Sequence, residues 1–311
     1  MQIENLDEAI HITNRGSELV SWRDYLTICK RYDIYPILFL KYLRIVFNYK
    51  NITNNIIYIG DEHGNLESLE FLENIYLPEV SKIQIINSKM KTLKGLSNIQ
   101  VPNLLSIHID NYSIDLSELT ELNSGSLESI HIRNNLDTKI PPLNFPKLTY
   151  LYLNGFMCNI DIENINSSSI PSLSHLTVNN PRIGSKRLSR LNEINWHKLP
   201  NVKYIGFDYG NPTKLGNLDN TIQLDTSIPR SVVCLDFRKV SVSLSDDAIR
   251  LPNLETLYIH IECIGIIEKI DLPKLTKLGI YSNLFRPILD PNIIELLQSR
   301  NIDYFFPSLI Y

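Results

Sequence analysis

The sequence predicts an α/β fold: a solenoid, or horseshoe, with a concave parallel β-sheet and an irregular convex side of helices and loops. Three observations predict it. A short apolar motif recurs nine times, proline precedes most copies at a fixed distance, and the 311 residues are 43% hydrophobic and 21% charged, as in folded proteins. A repeat stack has no single central core, so it can reach this length without splitting into ordinary domains.

The recurring motif is L-x-x-L-x-I, in which Leu, Val, Ile or Phe fills the three apolar places. Its copies begin at Val80, Leu104, Leu127, Leu148, Leu173, Val202, Val232, Leu254 and Leu275. The spacing varies from 21 residues (Leu127 to Leu148) to 30 residues (Val202 to Val232). Because alternate residues of a strand point to opposite sides, the apolar residues are predicted to fill the core and the intervening ones to face solvent on the concave side.

Proline supports the same register independently. It stands two residues before seven of the motif copies, at Pro78, Pro102, Pro146, Pro171, Pro200, Pro252 and Pro273, and an apolar residue precedes each one. Proline fixes φ and lacks a backbone donor, so it suits the corner at which the chain turns into a strand. The apolar residue before it is expected to enter the core. Two weaker copies, residues 54–59 and 302–307, have the degenerate form of capping repeats.

These repeats resemble the leucine-rich-repeat family over roughly residues 52–311, which we predict to be one repeat domain. The family's asparagine is displaced by one place, to Asn87, Asn111, Asn134 and Asn180, which predicts irregular returning arms without a regular asparagine ladder. The resemblance implies 3₁₀ turns, short helices and loops on the convex side; residues 109–119 and 244–251 could each supply a turn of helix before the next strand. It also implies a protein-binding role, although the family shares a fold and not one function.

Residues 1–51 carry no repeat and are predicted to form a helical N-terminal cap. The two helices would cover about 17–31 and 36–47, with Ser17 as a cap and Pro36 in a first turn. An alternative is a degenerate F-box, because the stretch ILFLKYL is faintly similar to that module. The F-box resemblance would imply a ubiquitin-ligase linker as a partner of these helices, and a role as a substrate-recognition adaptor.

Charge and cysteine usage limit the partners and the compartment. The formal net charge is −4, which argues against a nucleic-acid or membrane-surface binder. The first residues, MQIENLDEAIHI, lack the basic start and apolar core of a secretory signal. Four scattered cysteines, Cys29, Cys158, Cys234 and Cys263, form no C-x-x-C pair, so we expect free thiols and a cytoplasmic or nuclear location.

Catalytic and cofactor motifs are missing from the sequence. There is no phosphate loop, no G-x-G-x-x-G, no H-E-x-x-H and no G-x-S-x-G. We therefore expect a protein that is not an enzyme and that holds no cofactor. His108 and His131 would be neighbours in the repeat and could bind a metal together, but no third ligand is evident. A metal site is not predicted.

The predicted concave positions carry histidines and tyrosines: His108, His131, Tyr150, Tyr152, His175, Tyr204 and Tyr258. Tyrosine combines a large contact area with a hydroxyl group, and it is enriched at interface hot spots. We predict that these seven residues bind a partner protein. The alternative is ordinary cross-strand packing of half-exposed rings.

A basic stretch lies in a long insertion between repeats. It contains Arg182, Lys186, Arg187, Arg190, Lys198 and Lys203, with Glu193 as its one acidic residue. Such a stretch could meet an acidic partner or a phosphate backbone. A solvated helix face is the interpretation that the sequence favours.

Overall fold

The computed structural model describes residues 56–59, 68, 80–86, 90–111, 114–134, 137–155, 159–184, 186–208, 221–245, 249–282 and 288–307. The chain divides into two compact units, Met1–Leu127 and Glu128–Tyr311. The predicted cap of residues 1–51, the F-box alternative and the boundary at residue 52 lie outside the described residues.

Three parallel strands lie in the part of the first unit that the structure describes. They are β1 (Ile56–Ile59), β2 (Lys82–Ile86) and β3 (Ser106–Asn111). Their register pairs equivalent places of successive motif copies, as where Ile57 faces Ile83 and Ile83 faces Ile107. The returning segments contain 3₁₀ turns at Leu96–Asn98 and Ser117–Thr120. The second of these overlaps residues 109–119, for which a turn of helix is predicted.

Among the described residues of the second unit, eight strands run parallel in one sheet. They are β4 (Ser129–Asn134), β6 (Tyr150–Gly155), β8 (His175–Asn179), β11 (Tyr204–Asp208), β13 (Cys234–Lys239), β15 (Thr256–His260), β16 (Lys277–Tyr281) and β17 (Asp303–Phe305). Their order in the sheet is the order just given. Each motif copy from the one at Leu127 onward therefore supplies one strand and then returns to begin the next.

Short strands and turns form the returning arms of the second unit. One small sheet contains β5 (Thr138–Lys139), β7 (Ile160–Asp161), β9 (Pro181–Ile183) and β10 (Lys186–Arg187), and another pairs β12 (Thr221–Leu224) with β14 (Ser241–Leu244). Between them lie 3₁₀ turns at Glu163–Ser167, Leu191–Glu193, Trp196–Lys198 and Ile261–Glu268. Helix α1 (Pro291–Ser299) is the one α-helix among the described residues. The described chain is thus mostly parallel β-sheet with few helices.

The apolar places of the motif form the core of each unit. Every one of the 27 side chains is buried except that of Val80, which is half-buried. Ile107, Leu151 and Leu257 have exposed fractions of 1%, 0% and 1%. The predicted register is confirmed, because a shift of one residue would have turned these side chains to solvent.

Proline recurs at the same place in the repeats because of the turn that precedes the strand. Val101, Pro102, Asn103 and Leu104 form a β-turn, in which Leu104 N donates to Val101 O at 3.1 Å. The same bond recurs at the other described corners that carry this proline: Leu148 to Phe145, Leu173 to Ile170, Val202 to Leu199, Leu254 to Leu251 and Leu275 to Leu272. Proline occupies the second position of the turn, where a φ near −65° is required. The first and fourth residues are both buried, as predicted for the apolar residue before proline.

The displaced asparagines still connect successive repeats. Asn111 Nδ2 donates to Met90 O at 2.9 Å, and Asn180 Nδ2 donates to Gly155 O at 2.9 Å. Asn134 Nδ2 donates to Thr138 Oγ1 within its own repeat. The ladder is therefore irregular, as predicted, although two of its asparagines each donate to a backbone carbonyl of the preceding repeat.

The basic insertion does not form the predicted helix face. Arg182 and Arg187 lie opposite each other on the antiparallel pair β9 and β10, and Lys198 ends a 3₁₀ turn. Pro181 and the left-handed Gly184, with φ of 61°, favour a turn here and oppose a helix. The expectation of a solvated helix face was wrong because charge alone carries no helical periodicity.

Candidate partner-binding face

The outward side chains of the second unit form rows that cross its eight strands. We call this side of the sheet the outer face. Row one precedes the second apolar place and contains Ser129, Tyr150, His175, Tyr204, Cys234, Thr256, Lys277 and Asp303. Row two follows that place and contains His131, Tyr152, Thr177, Gly206, Asp236, Tyr258, Gly279 and Phe305. The parallel register therefore brings chemically related side chains from distant repeats into line.

Imidazole and phenol rings contact one another along the first strands of the outer face. The rings of His131 and Tyr152 lie 4.3 Å apart between centroids. Tyr150 and His175 lie 5.9 Å apart, and His175 stacks on Tyr204 at 5.5 Å with an interplanar angle of 15°. These separations are those of favourable aromatic pairs. Each ring is therefore held by its neighbours before any partner arrives.

Tyr204 connects the aromatic rings to a buried carboxylate. Its hydroxyl donates to Asp236 Oδ2 at 2.7 Å, and Asp236 has an exposed fraction of only 5%. Burial and the neighbouring Asp236 raise the pKa of Tyr204 well above its usual value. The phenol therefore keeps its proton and remains a donor.

Arg238 neutralises Asp236 and extends the cluster toward the last strands. Its Nε donates to both carboxylate oxygens, at 2.7 and 2.8 Å, and its Nη2 also donates to Oδ2. Its Nη1 donates to the Tyr281 hydroxyl at 3.0 Å. Burial lowers the pKa of Arg238, but the hydrogen bond and charge of Asp236 outweigh it and raise the pKa overall, so the guanidinium is permanently charged.

The same guanidinium lies against two tyrosine rings. Its Cζ is 5.6 Å from the Tyr258 centroid and 5.3 Å from the Tyr281 centroid, both within cation–π range. These bonds use three of its five N–H groups, which leaves one on each terminal nitrogen. The Arg238 side chain is 45% exposed.

Two glycines of row two make room for tyrosine rings. A Cβ at Gly279 would overlap Cδ1 and Cε1 of Tyr258, and one at Gly206 would come within 3.1 Å of Tyr204 Cε1. Tyr258 therefore lies flat across the next strand. Its ring also meets Phe305 edge-on, with centroids 6.1 Å apart. Phe305 and its neighbours Tyr304 and Phe306 have exposed fractions of 40%, 37% and 41%.

The structure brings together six of the seven predicted site residues. His131, Tyr150, Tyr152, His175, Tyr204 and Tyr258 all lie on the outer face. The seventh, His108, lies on β3 in the first unit, where burial and Lys82 lower its pKa. The rings pack on one another across the strands, as the alternative of cross-strand packing predicts, and Tyr150 remains 37% exposed.

Sequence reasoning missed Arg238, Tyr281 and Phe305. Arg238 and Tyr281 lie one residue beyond the last apolar place of their motif copies, in a row that the prediction did not consider. Phe305 belongs to the degenerate end copy. One signal was available: Asp236 and Arg238 stand two residues apart on one strand, and that spacing puts opposite charges on the same side.

Asp236, Arg238 and the tyrosines around them form a cluster that presents hydrogen-bond donors and ring faces with little net charge. Burial raises the pKa values of Tyr150 and Tyr258, so both hydroxyls remain protonated at neutral pH. Within the described residues, no group of three His, Cys, Asp or Glu side chains is arranged to hold a metal ion. None of the helices in that part of the chain has the length and hydrophobicity needed to cross a bilayer.

No protein-family model matches the chain, and no curated protein is significantly similar to it. Its function is therefore inferred from the chemistry of the outer face itself.

Proposed function

We propose that the chain is a leucine-rich-repeat solenoid that acts as a protein-interaction module in the cytoplasm, with its partner bound on the outer face. The observation that carries the proposal is a set of contacting rings on the outer face. His131 contacts Tyr152, and His175 contacts both Tyr150 and Tyr204. From Tyr204 the contacts continue through Asp236 and Arg238 to Tyr258. Protein interfaces draw most of their binding energy from tyrosine, tryptophan and arginine anchors of this kind.

The outer face is also arranged to lose little entropy on binding. Ring contacts hold His131, Tyr152 and His175, and hydrogen bonds hold Tyr204 and Arg238. Ordering a free side chain at an interface costs about 0.5–1.5 kcal/mol, so side chains that are already ordered favour affinity. Strands that are paired on both sides give these residues a rigid base, which is the usual property of binding surfaces on repeat proteins.

Cysteine chemistry supports the proposed compartment. Cys234 and Cys263 are free thiols, and Cys263 is buried. Burial, with Asp236 nearby, raises the pKa of Cys234 to about 12, and burial raises the pKa of Cys263. Neither thiol forms a thiolate readily at neutral pH, which suits structural residues in a reducing environment.

The test is a paired substitution in the row of rings. Tyr150→Ala with Tyr152→Ala removes two outward side chains and opens no cavity, because Leu151 and Leu153 occupy the inward places. Bait protein with and without these changes is used to capture partners, and each captured partner is then purified and titrated. Its affinity for the double variant should be at least about tenfold lower, or roughly 1.4 kcal/mol.

The matched control is Lys186→Ala with Arg187→Ala on β10, where both side chains are exposed. This variant should bind like the unchanged protein. Loss of binding in the control with retention in the tyrosine variant would place the interface on the basic hairpin and refute the proposal. Circular dichroism of both variants establishes that the fold is intact.

A further inference from the structure

One side of the small sheet of β5, β7, β9 and β10 aligns charged side chains from successive repeats. Lys139 on β5 is the register partner of Asp161 on β7, and Asp161 is the register partner of Arg182 on β9. Arg182 in turn lies opposite Arg187 on β10. Residues that lie opposite one another in a sheet point to the same side, so these four side chains form one row of charges.

The carboxylate of this row is occupied by its own surroundings. Asp161 Oδ1 accepts from Glu163 N at 2.9 Å and from Gly184 N at 3.0 Å. Its Oδ2 lies 3.9 Å from Lys139 Nζ, which also pairs with Glu163 at 3.2 Å. Asp161 therefore holds the β9–β10 hairpin against β7 and shares its charge with Lys139, at the end of the row away from the arginines.

Arg182 lacks acceptors for its guanidinium. Its side chain is half-buried, and its Nε is buried without a hydrogen-bond partner. Among the described residues, no carboxylate forms an ion pair with it. Asp137 feels its charge, but the backbone N–H of Asn159 does more to lower the pKa of Asp137 and binds its Oδ1 at 2.8 Å. A guanidinium that is partly withdrawn from water costs free energy until an acceptor reaches it.

The position of Arg187 adds to the demand for an anion. Arg187 is exposed and lies directly opposite Arg182 on the antiparallel pair of strands. Like charges that face each other across two strands destabilise the pairing. A bound anion that accepts from both guanidiniums would turn this repulsion into attraction.

We infer that Arg182 and Arg187, called here the arginine pair, bind a phosphate monoester on a phosphorylated partner protein. This ligand and this site go beyond the proposed function of the outer face. The pair presents two positive charges on two planar forks of donors. A phosphorylated side chain carries about −1.5 to −2 charges at pH 7 and three acceptor oxygens, so it can accept from both forks at once. A carboxylate or a phosphodiester has a single charge and would leave half of the pair unbalanced.

The open position of the pair favours a phosphate that a protein presents. Arg187 is exposed, and the Lys139 side chain in the same row is 55% exposed. Because ion pairs in contact with water contribute little, a free phosphate ion would be held weakly. A phosphorylated protein segment adds contacts on either side of the phosphate, and Lys186 and Arg190 are exposed next to the pair along the chain. Clusters of arginine are a general means of recognising such segments.

NMR titration of the full chain with defined peptides tests the inference. The probe is a heptapeptide with a central phosphoserine between glutamates, and the comparison peptides carry serine or aspartate at the same place. The phosphoserine peptide should bind at least tenfold more tightly than either. Equal binding of the phosphoserine and aspartate peptides would overturn the assignment of a phosphate monoester.

Two further probes identify the source of the phosphate. Inorganic phosphate should bind at least tenfold more weakly than the phosphoserine peptide, because it brings no flanking contacts. Equal affinity of the free ion would reject a protein as the carrier. Binding to vesicles that contain phosphatidylinositol phosphate, without binding of the phosphoserine peptide, would reject it as well.

Variants locate the phosphate at the arginine pair. Arg182→Gln and, separately, Arg187→Gln should each weaken binding of the phosphoserine peptide at least tenfold. The control is Lys198→Gln with Lys203→Gln, which removes two exposed positive charges of the same insertion outside the row and should leave the affinity unchanged. An equal loss in the control would show general charge attraction and refute the site, as would normal binding by the arginine variants.

A second measurement applies if the arginine variants do not fold. In the unchanged protein, the backbone amide resonances of Arg182 and Arg187 must shift on addition of the phosphoserine peptide and not on addition of the serine peptide. Unmoved resonances refute the site.

Phosphatase treatment of a captured partner separates this inference from the proposed function. Binding on the outer face should survive the treatment and depend on Tyr150 and Tyr152. Binding at the arginine pair should be abolished by the treatment and should not depend on those tyrosines. A partner that requires Arg187 but still binds after the treatment would contradict both proposals.

Discussion

The ring of Tyr258 lies flat over Gly279, its register partner on the neighbouring strand, and occupies the space that a Cβ there would need. Glycine in a strand normally weakens the sheet, because it has more conformational freedom to lose and no side chain to pack. Here the tyrosine covers the backbone that glycine leaves open. The Tyr258 ring thus replaces the side chain that Gly279 lacks on the outer face.

Gly279→Ala should lower the free energy of unfolding, although a glycine-to-alanine change usually raises it where the space and the φ angle allow. Where space and φ allow, that change stabilises a protein by about 0.4–1 kcal/mol. At position 279 the methyl group would displace the Tyr258 ring, and we expect a loss of about 1–2 kcal/mol, as for other overpacking changes. Urea unfolding measures it. The control is Gly265→Ala, because no atom lies within 4 Å of a Cβ placed there; a gain at both positions would contradict the described ring position.

Leu151→Ala tests the register of the repeat. Leu151 is fully buried at the second apolar place of its motif copy. Truncating a buried leucine removes apolar contacts and leaves a cavity, so the free energy of unfolding should fall by about 2–5 kcal/mol. Tyr150→Ala, one residue earlier on the exposed side, should cost less than about 1 kcal/mol. Comparable losses from the two changes would mean that the alternation is misassigned.

Arg238→Ala should destabilise the protein mainly because it leaves the buried Asp236 carboxylate without its counter-charge. Asp236 is buried, and without the guanidinium its charge would keep only the Tyr204 hydroxyl and its local backbone contacts. We expect a loss on the order of 2 kcal/mol, because Arg238 is partly exposed and water can replace some of its bonds. Adding Asp236→Asn should restore part of this stability, since the amide oxygen still accepts from Tyr204 and carries no charge. Further loss in the double variant would show that the charge of Asp236 is not the cause.

His260 should make stability depend on pH. Its side chain has an exposed fraction of 3%, its Nε2 has no hydrogen-bond partner, and burial lowers its pKa although Glu262 acts in the opposite direction. The unfolded state therefore binds a proton more readily than the folded state. The contribution of neutral His260 to the free energy of unfolding is complete above the pKa of an unfolded histidine, about 6.5. It is lost as the pH falls from there toward the lower pKa of His260 in the folded state.

Urea unfolding between pH 8 and pH 5 measures this effect. His260→Asn should flatten the dependence, because asparagine cannot take up the proton and its Oδ1 can still accept from Glu262 N, as His260 Nδ1 does. His197→Asn, at an exposed histidine, should leave the curve unchanged. An equal slope for the His260 variant and the unchanged protein would assign the pH dependence to other groups.

Much of the fold could be predicted because the same apolar motif occurs in successive repeats. A motif such as that of Leu148, Leu151 and Leu153 gives the strand, its inward side and its neighbours at once, since parallel strands of successive repeats pair at equivalent places. Proline at the second position of the preceding turn indicated where most of the motif strands begin. The returning arms were less predictable, because their lengths differ and no period is repeated in them.

The outer face was predictable only in the rows that the motif defines. Tyr150, Tyr152 and Tyr204 stand at outward places within the motif, so alternation alone identified them. Arg238 stands just after it, and its role depends on contacts with Tyr258 and Tyr281 from other repeats. The packing of the Tyr258 ring on Gly279 could not be predicted from one strand, because it depends on a residue of the neighbouring strand.

The order of the strands has a consequence for how such a chain can change over generations. Neighbouring strands of the outer face come from successive repeats, so a repeat inserted between β11 and β13 would separate Tyr204 from Asp236. The ring contacts of Tyr150, His175 and Tyr204 would stay, because their strands would remain neighbours. Gain or loss of a repeat therefore alters the surface at one junction and leaves the contacts on either side of it unchanged.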